Sequence, residues 1–288
     1  MSRDEFAHNL FHNRTGVLAT MHRKEQAIRP VLAQIGMQIV VPEALNTDEF
    51  GTFTREVERT GDQLQAARLK AEKAMALTGL DLGLASEGSF GHHSSIPFLA
   101  CDRELVVLID RQQDLEIVGQ VISTDTNYSQ QQVTTLESAI AFAQKVGFPS
   151  HGVVAMPEAH PLPGSPIFKG ITDESQLVDA VTELLRQFGQ AHLETDMRAM
   201  HNPTRMKVIA QATQDLVTKM SQCCPQCGYP GFTAVERQAG LPCALCQFPT
   251  ALPLAVTHRC QKCDFSSVSY FPNGQEFADP AQCSYCNP

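Results

Sequence analysis

The chain contains no apolar run approaching the ~20 residues that span a bilayer, which speaks against a membrane helix. Its first residues are polar and charged, without the apolar stretch of a secretory leader. Basic residues are also scarce. Only 22 Lys and Arg stand against 31 Asp and Glu, a net charge of −9, which disfavours broad electrostatic capture of nucleic acid or of an anionic membrane. The first 220 residues hold a single cysteine, Cys101. These absences predict a cytoplasmic protein, a setting in which paired cysteines more often bind metal than form disulfides. At 288 residues and 43% hydrophobic composition, the chain is long enough for two domains with a buried core.

The other nine cysteines follow residue 220, and eight of them form Cys-x-x-Cys pairs: Cys224/Cys227, Cys243/Cys246, Cys260/Cys263 and Cys283/Cys286. A pair at this spacing turns both sulfurs toward one ion, and a tetrahedral zinc ion takes two pairs. The gaps from Cys227 to Cys243 and from Cys263 to Cys283 suit zinc ribbons. Each gap also carries turn residues: Gly228, Pro230, Gly231 and Gly240 in the first, Pro272-Asn273-Gly274 in the second. Two structural zinc ions are expected, with the first pair joined to the second and the third to the fourth. A cross-braced pairing, first with third, uses the same residues and stays open. Cys223 and His258 read as a spare thiol and a surface residue. Eight thiolates close two tetrahedra, so no open position is left for catalysis by zinc.

Residues 1–220 read as α/β, with a mixed, largely parallel sheet flanked by helices. Short apolar runs at 15–20, 37–41, 82–85, 105–109, 115–122 and 153–155 suit strands. Residues 63–78 form a helix capped by Gly79. Val133, Leu136, Ile140 and Ala143 share a helical face, residues 177–188 are amphipathic, and Asn202-Pro203 opens the last helix. In such sheets ligands sit beyond the carboxyl ends of the strands. Three polar segments fall there: Thr20-Met21-His22-Arg23-Lys24, the residues around Glu87, and Arg198 to Arg205. His92 and His93 are adjacent and so diverge on most backbones, which makes them surface residues. Cys101 reads as a small core residue.

These segments, in this order, resemble the inosine/xanthosine triphosphate pyrophosphatase superfamily, the house-cleaning nucleotide hydrolases that include the Maf-like proteins. Thr20-Met21-His22-Arg23-Lys24 is similar to the superfamily's T-x-N-x-x-K phosphate loop, with His22 in place of asparagine. Lys70-Ala71 looks like its helix-terminal Lys-Ala pair, and Gly83-Leu84-Ala85-Ser86-Glu87-Gly88 like its acidic loop, with one carboxylate where many members have two. The basic stretch from Arg198 to Arg205 looks like its final basic segment. The similarity covers roughly residues 15–215.

The resemblance implies a nucleotide-hydrolase-like domain over 1–220, while the cysteine spacing predicts a double zinc-ribbon domain over 221–288. The resemblance further implies Mg²⁺-dependent attack of water on a nucleoside triphosphate, releasing pyrophosphate. Glu87 would hold Mg²⁺, helped by Glu56 or Asp48. Lys24, Lys70, Arg198 and Arg205 would neutralise phosphate, with Thr20 and His22 touching the substrate. The alternative expectation is a non-catalytic scaffold of the same fold, whose ribbons bind a protein or nucleic acid. Phe265, Tyr270 and Phe271 would then offer stacking surfaces.

Overall fold

The computed structural model describes residues 10–43, 45–46, 61–93 and 96–287. Contacts divide the chain into two units, Asn13–Val217 and Thr218–Pro288 with the N-terminal residues through His12. Glu56 and Asp48 lie outside the described residues.

In the first unit, three strands run parallel at one side of a five-stranded sheet. They are β1 (Thr15–Ala19), β2 (Gln38–Val40) and β3 (Leu82–His93), with β1 between the other two. Helix α1 (Glu25–Ala33) connects β1 to β2, and α2 (Gln63–Thr78) precedes β3. Beyond β3 the pairing turns antiparallel, with β4 (Ile96–Asp110) and β5 (Leu115–Ser123) completing the order β2-β1-β3-β4-β5. The sheet is mixed, as the sequence suggests, but parallel pairing stops at β3. There the chain returns along itself as a long hairpin, which local patterning does not announce.

Helix α2 covers one face of this sheet. Its inward residues Ala67, Ala71, Ala74 and Met75 meet Val17, Ala19, Ala85, Leu105 and Val107. Small side chains on the helix let it approach closely, and methionine fills the remaining gap. The ends of α2 are closed by chemistry visible in the sequence. Asp62 and Gln65 form a capping box, and Gly79 takes a left-handed conformation (φ 71°), the two caps together contributing on the order of 1 kcal/mol. The other face receives α5 (Pro203–Ser221), and Gly119 of β5 provides its clearance. A Cβ at Gly119 would collide with the Ala212 carbonyl and Leu216.

A second, wholly antiparallel sheet has the order β6-β9-β7-β8, from β6 (Gln130–Val133), β7 (Val153–Met156), β8 (Phe168–Ile171) and β9 (Ala191–Thr195). Helices α3 (Leu136–Lys145) and α4 (Glu174–Phe188) bury Phe142, Leu177, Val181 and Leu184 against Val153, Ala155 and Leu193. Of these strands only β7 is evident as an apolar run. Three glutamines in β6 and a glycine in β8 hide two of the others. No described helix is long and apolar enough to cross a membrane.

The second unit carries a three-stranded antiparallel sheet, β10 (Thr233–Ala239), β11 (Pro253–Arg259) and β12 (Ser266–Tyr270). Its buried apolar residues are few, chiefly Tyr229, Leu241, Ala255, Val256 and Ala278, and the first cysteine of every pair is buried among them. A core this small needs a cross-link or a metal to hold it.

Candidate functional site

The cysteine knuckles of the second unit share one backbone design. The residue after the second cysteine donates its N–H to the carbonyl of the first: Gly228 to Cys224, Gln247 to Cys243, Asp264 to Cys260 and Asn287 to Cys283. Gly228, Gln247 and Asp264 accept positive φ to do so. In three knuckles the first cysteine's N–H then donates to the carbonyl of an aromatic residue five positions on, Tyr229, Phe248 or Phe265. The turn leaves N–H groups facing the first sulfur, as Leu245 does to Cys243 and Lys262 to Cys260, each at 3.4 Å. Burial opposes the Cys224 thiolate, but the N–H groups of Cys227 and Gln226 outweigh it and bring the thiol down to about 7. At Cys243, N–H groups of Cys246 and Leu245 do the same.

Two sets of four thiols result: Cys224, Cys227, Cys260 and Cys263, and Cys243, Cys246, Cys283 and Cys286, each with sulfurs within 4.8 Å of one another. Sulfur separations are 3.7 Å for Cys224–Cys263, 3.6 Å for Cys227–Cys260, 3.8 Å for Cys243–Cys286 and 3.6 Å for Cys246–Cys283. A tetrahedral tetrathiolate with metal–sulfur bonds of ~2.3 Å has edges of ~3.8 Å. These distances therefore fit one ion per set and are far too long for disulfides.

The pairing corrects the expected first-with-second arrangement. Cys260–Cys263 is itself the turn of the β11–β12 hairpin, flanked by the Arg259–Ser266 pair. Cys243–Cys246 lies in the connection between β10 and β11. Successive knuckles thus fall at opposite ends of strands about seven residues long, roughly 24 Å apart. The Thr233–Arg259 pair brings the first knuckle to the third. A bridge between Cys243 and Ala278 brings the fourth to the second. Cys223 and His258 are in neither set.

In the first unit the nominated residues converge at the carboxyl end of β1. The β1–β3 ladder ends at Ala19–Ala85, while β3 continues to His93. The segment expected as an acidic loop is therefore strand, because the β4 ladder holds Ser86 to Gly91 extended despite their weak strand propensity. Glu87 sits on the α2 face, where it forms an ion pair with Lys70. Gln63, the first residue of α2, donates to the carbonyls of Glu87 (2.7 Å) and Arg103 (2.8 Å) and ties the helix to both strands.

Lys24 enters from the loop ahead of α1. Its Nζ donates to the Ser86 carbonyl at 2.8 Å, and 8% of the residue is exposed. Burial, then the nearby Arg205 charge, lowers it to about 8, against the opposing influence of Glu87 and Glu104. Thr20 is buried and His22 half-buried in the same loop.

The α5 face of β3 and β4 carries a second charged group. Glu104, paired in register with Gly88, accepts from Arg205 Nε at 2.6 Å, and both side chains are fully buried. Arg205 Nη1 donates to the Met197 carbonyl, and the guanidinium lies 5.0 Å from the Phe90 ring. Asn202 caps α5, its side-chain oxygen accepting from the Arg205 N–H at 3.0 Å. Asp102 is also buried on this face.

Arg198 is elsewhere. It makes a bidentate pair with Asp196, near Gly170 and His201. His92 and His93 lie at the end of β3, and Cys101 is fully buried in β4. Asp102 and Glu104 were missed from sequence. Their alternation just ahead of the apolar run Leu105–Ile109 was the available signal, since residues two apart on a strand share a face.

The fold and the cysteine sets define an α/β protein with a tail built around two four-cysteine clusters, each of which fits a metal ion. The chain belongs to the family described as Domain of unknown function (DUF6671), whose model matches residues 70–288. The matched span contains all eight knuckle cysteines and Lys70, Glu87, Asp102, Glu104 and Arg205, and begins after Lys24. No curated protein matches the chain.

Proposed function

We propose that the Asn13–Val217 unit binds the phosphates of a nucleotide and hydrolyses it with Mg²⁺, and that the tail holds two structural zinc ions. The hydrolase reading rests on one observation above the others. Lys24 is a buried cation whose hydrogen bond goes to a carbonyl, whereas Lys70 and Arg205 each have a carboxylate. A buried ammonium that has no carboxylate partner among the described residues is costly unless an anion completes it. Its place beyond the ends of parallel strands is where such sheets take ligands. The similarity of residues 20–24 to a phosphate loop supports the same assignment.

In this reading Lys24 contacts a phosphate oxygen, and Lys70 holds the Glu87 carboxylate in position. Mg²⁺ commonly takes one or two protein carboxylates and fills its shell with phosphate and water, so a single Glu87 is a sufficient donor. The metal supplies charge neutralisation on the phosphates. Arg205, fully enclosed with Glu104, fixes α5 against the sheet. Zinc is the assignment for the tail because four thiolates in a closed tetrahedron are its preferred structural site.

The test is a panel of common and deaminated nucleoside triphosphates and diphosphates, offered with Mg²⁺ to zinc-loaded protein, separating pyrophosphate from phosphate release. Turnover lost in both Glu87→Gln and Lys24→Ala, with both variants folded, supports the reading. Turnover that survives both sinks it.

A second reading, a non-catalytic scaffold whose tail binds a protein or nucleic acid, is favoured by exposed apolar side chains beside the second metal centre. Leu245, Phe248, Phe277 and Tyr285 are exposed there, with the Phe248 and Tyr285 rings 4.9 Å apart. Absence of turnover across the whole panel would favour it.

A further inference from the structure

On the α5 face of the hairpin, neither the Ser86 hydroxyl nor Arg205 Nη2 hydrogen-bonds the buried carboxyl oxygens. Asp102 Oδ1 and Oδ2, Glu104 Oε2 and Ser86 Oγ are enclosed without a hydrogen-bond partner. Only Glu104 Oε1 is engaged, by Arg205. Asp102 and Glu104 stand two apart on β4, opposite Phe90 and Gly88, so their side chains share one face. Buried carboxylate oxygens without donors require a bound proton or a bound cation.

The surroundings decide between the two. Asp102 is faced by Glu104 from its own strand, by Arg205 from α5 and by Lys24 from the loop ahead of α1. A divalent ion would enter beside two cationic side chains in a low-dielectric interior, where like charges repel strongly. A proton adds one charge and supplies the missing donor.

We infer that Asp102 and Glu104 form a proton-binding pair, in which Asp102 is a neutral carboxylic acid donating its O–H to Glu104 and Glu104 is the carboxylate that holds Arg205. Burial, and then the Glu104 charge, push Asp102 up to about 8 against the pull of Arg205, so the proton stays in place at neutral pH. No other bond forms or breaks; the proton comes from solvent. The inference deepens the hydrolase reading and rests on it in one respect. With Asp102 neutral, Lys24, Lys70 and Arg205 face Glu87 and Glu104 among the described residues, and Lys24, hydrogen-bonded to a carbonyl, is where an anionic ligand would meet positive charge.

The experiment uses full-length, metal-loaded protein and needs no turnover, so it succeeds or fails separately from the nucleotide panel. Infrared spectra should contain a carboxylic-acid carbonyl band at pH 7 that titrates away near pH 8 and is missing from Asp102→Asn. An asparagine can still donate to Glu104, so Asp102→Asn should keep the wild-type unfolding midpoint at pH 7, while Asp102→Ala lowers it. Should the asparagine variant not fold, ¹³C-labelled aspartate carboxyls in the wild type carry the test. One carboxyl titrating near 8 supports the pair. All aspartates titrating below about 5, in the ordinary carboxylate range, overturns it. So does Mn²⁺ bound to the wild type, seen by electron paramagnetic resonance, and lost in Asp102→Asn.

Discussion

Arg205 and Glu104, 101 residues apart in the chain, meet with their side chains wholly enclosed and the Nε–Oε1 distance at 2.6 Å. One comes from the first turn of α5 and the other from the middle of β4. Removing the cation would leave a buried carboxylate uncompensated, which costs about 3–5 kcal/mol. Arg205→Ala should therefore lower stability by that order in urea unfolding of the full chain. Arg205→Lys should recover only part of it, because the bond to the Met197 carbonyl also uses the guanidinium. A near-neutral Arg205→Ala would mean that water reaches Glu104.

Gly88 and Gly91 make a matched pair of probes on β3. A Cβ on Gly88 would overlap Glu104 Oε1 and Arg205 Nη2, whereas Gly91 has nothing within 4 Å. Gly88→Ala should destabilise by about 1–3 kcal/mol through overpacking, and Gly91→Ala should change stability by less than about 0.5 kcal/mol. Equal effects from the two would show that the charged pair can move aside.

The pH dependence of stability should have a minimum near pH 8 from two groups acting in opposite directions. Asp102 is raised from 3.8 to about 8 on folding. Between these values the folded state holds a proton that the unfolded state has released, so stability falls as pH rises. Lys24 is lowered from 10.5 to about 8. Between those values the unfolded state binds the extra proton, so stability climbs again. Each unit of pH shifts the unfolding constant by up to about tenfold in each limb. Urea midpoints from pH 5 to 10 read the curve directly. Asp102→Asn should flatten the acid limb and Lys24→Met the alkaline one.

The cross-braced metal centres separate cleanly by paired substitutions. Cys224→Ser with Cys260→Ser strikes one set, so one of two zinc ions should remain by metal analysis. Cys224→Ser with Cys243→Ser strikes both sets, and both ions should be lost or weakened. Pairing of the first knuckle with the second would produce the opposite result. Acidification should release zinc from either centre, since only thiolates bind it.

Much of the chemistry was readable along the chain because its determinants are local. Two cysteines three positions apart specify a knuckle wherever they fall. Asn202-Pro203 and Gly79 mark helix ends through their own backbone preferences. Lys24 and Glu87 could be nominated because each follows a recognisable strand, and Lys70 through the family resemblance; the structure brings these three together.

What was not readable depends on ladders between distant segments. The residues from Ser86 to Gly91 look like a loop by composition and become strand because β4 pairs with them. Asp102 and Glu104 acquire meaning only once that hairpin and α5 enclose them. Arg198 and Arg205 appear equivalent in sequence, yet one pairs with Asp196 at the edge of the second sheet and the other is sealed inside.

The sequence by itself determined the eight metal-binding sulfurs, because a knuckle is a property of a few consecutive residues. Only the tertiary structure decided how they share their ions. A hairpin whose turn is a knuckle sends the next one to the far end of the sheet, and strand length then forbids neighbouring knuckles from meeting.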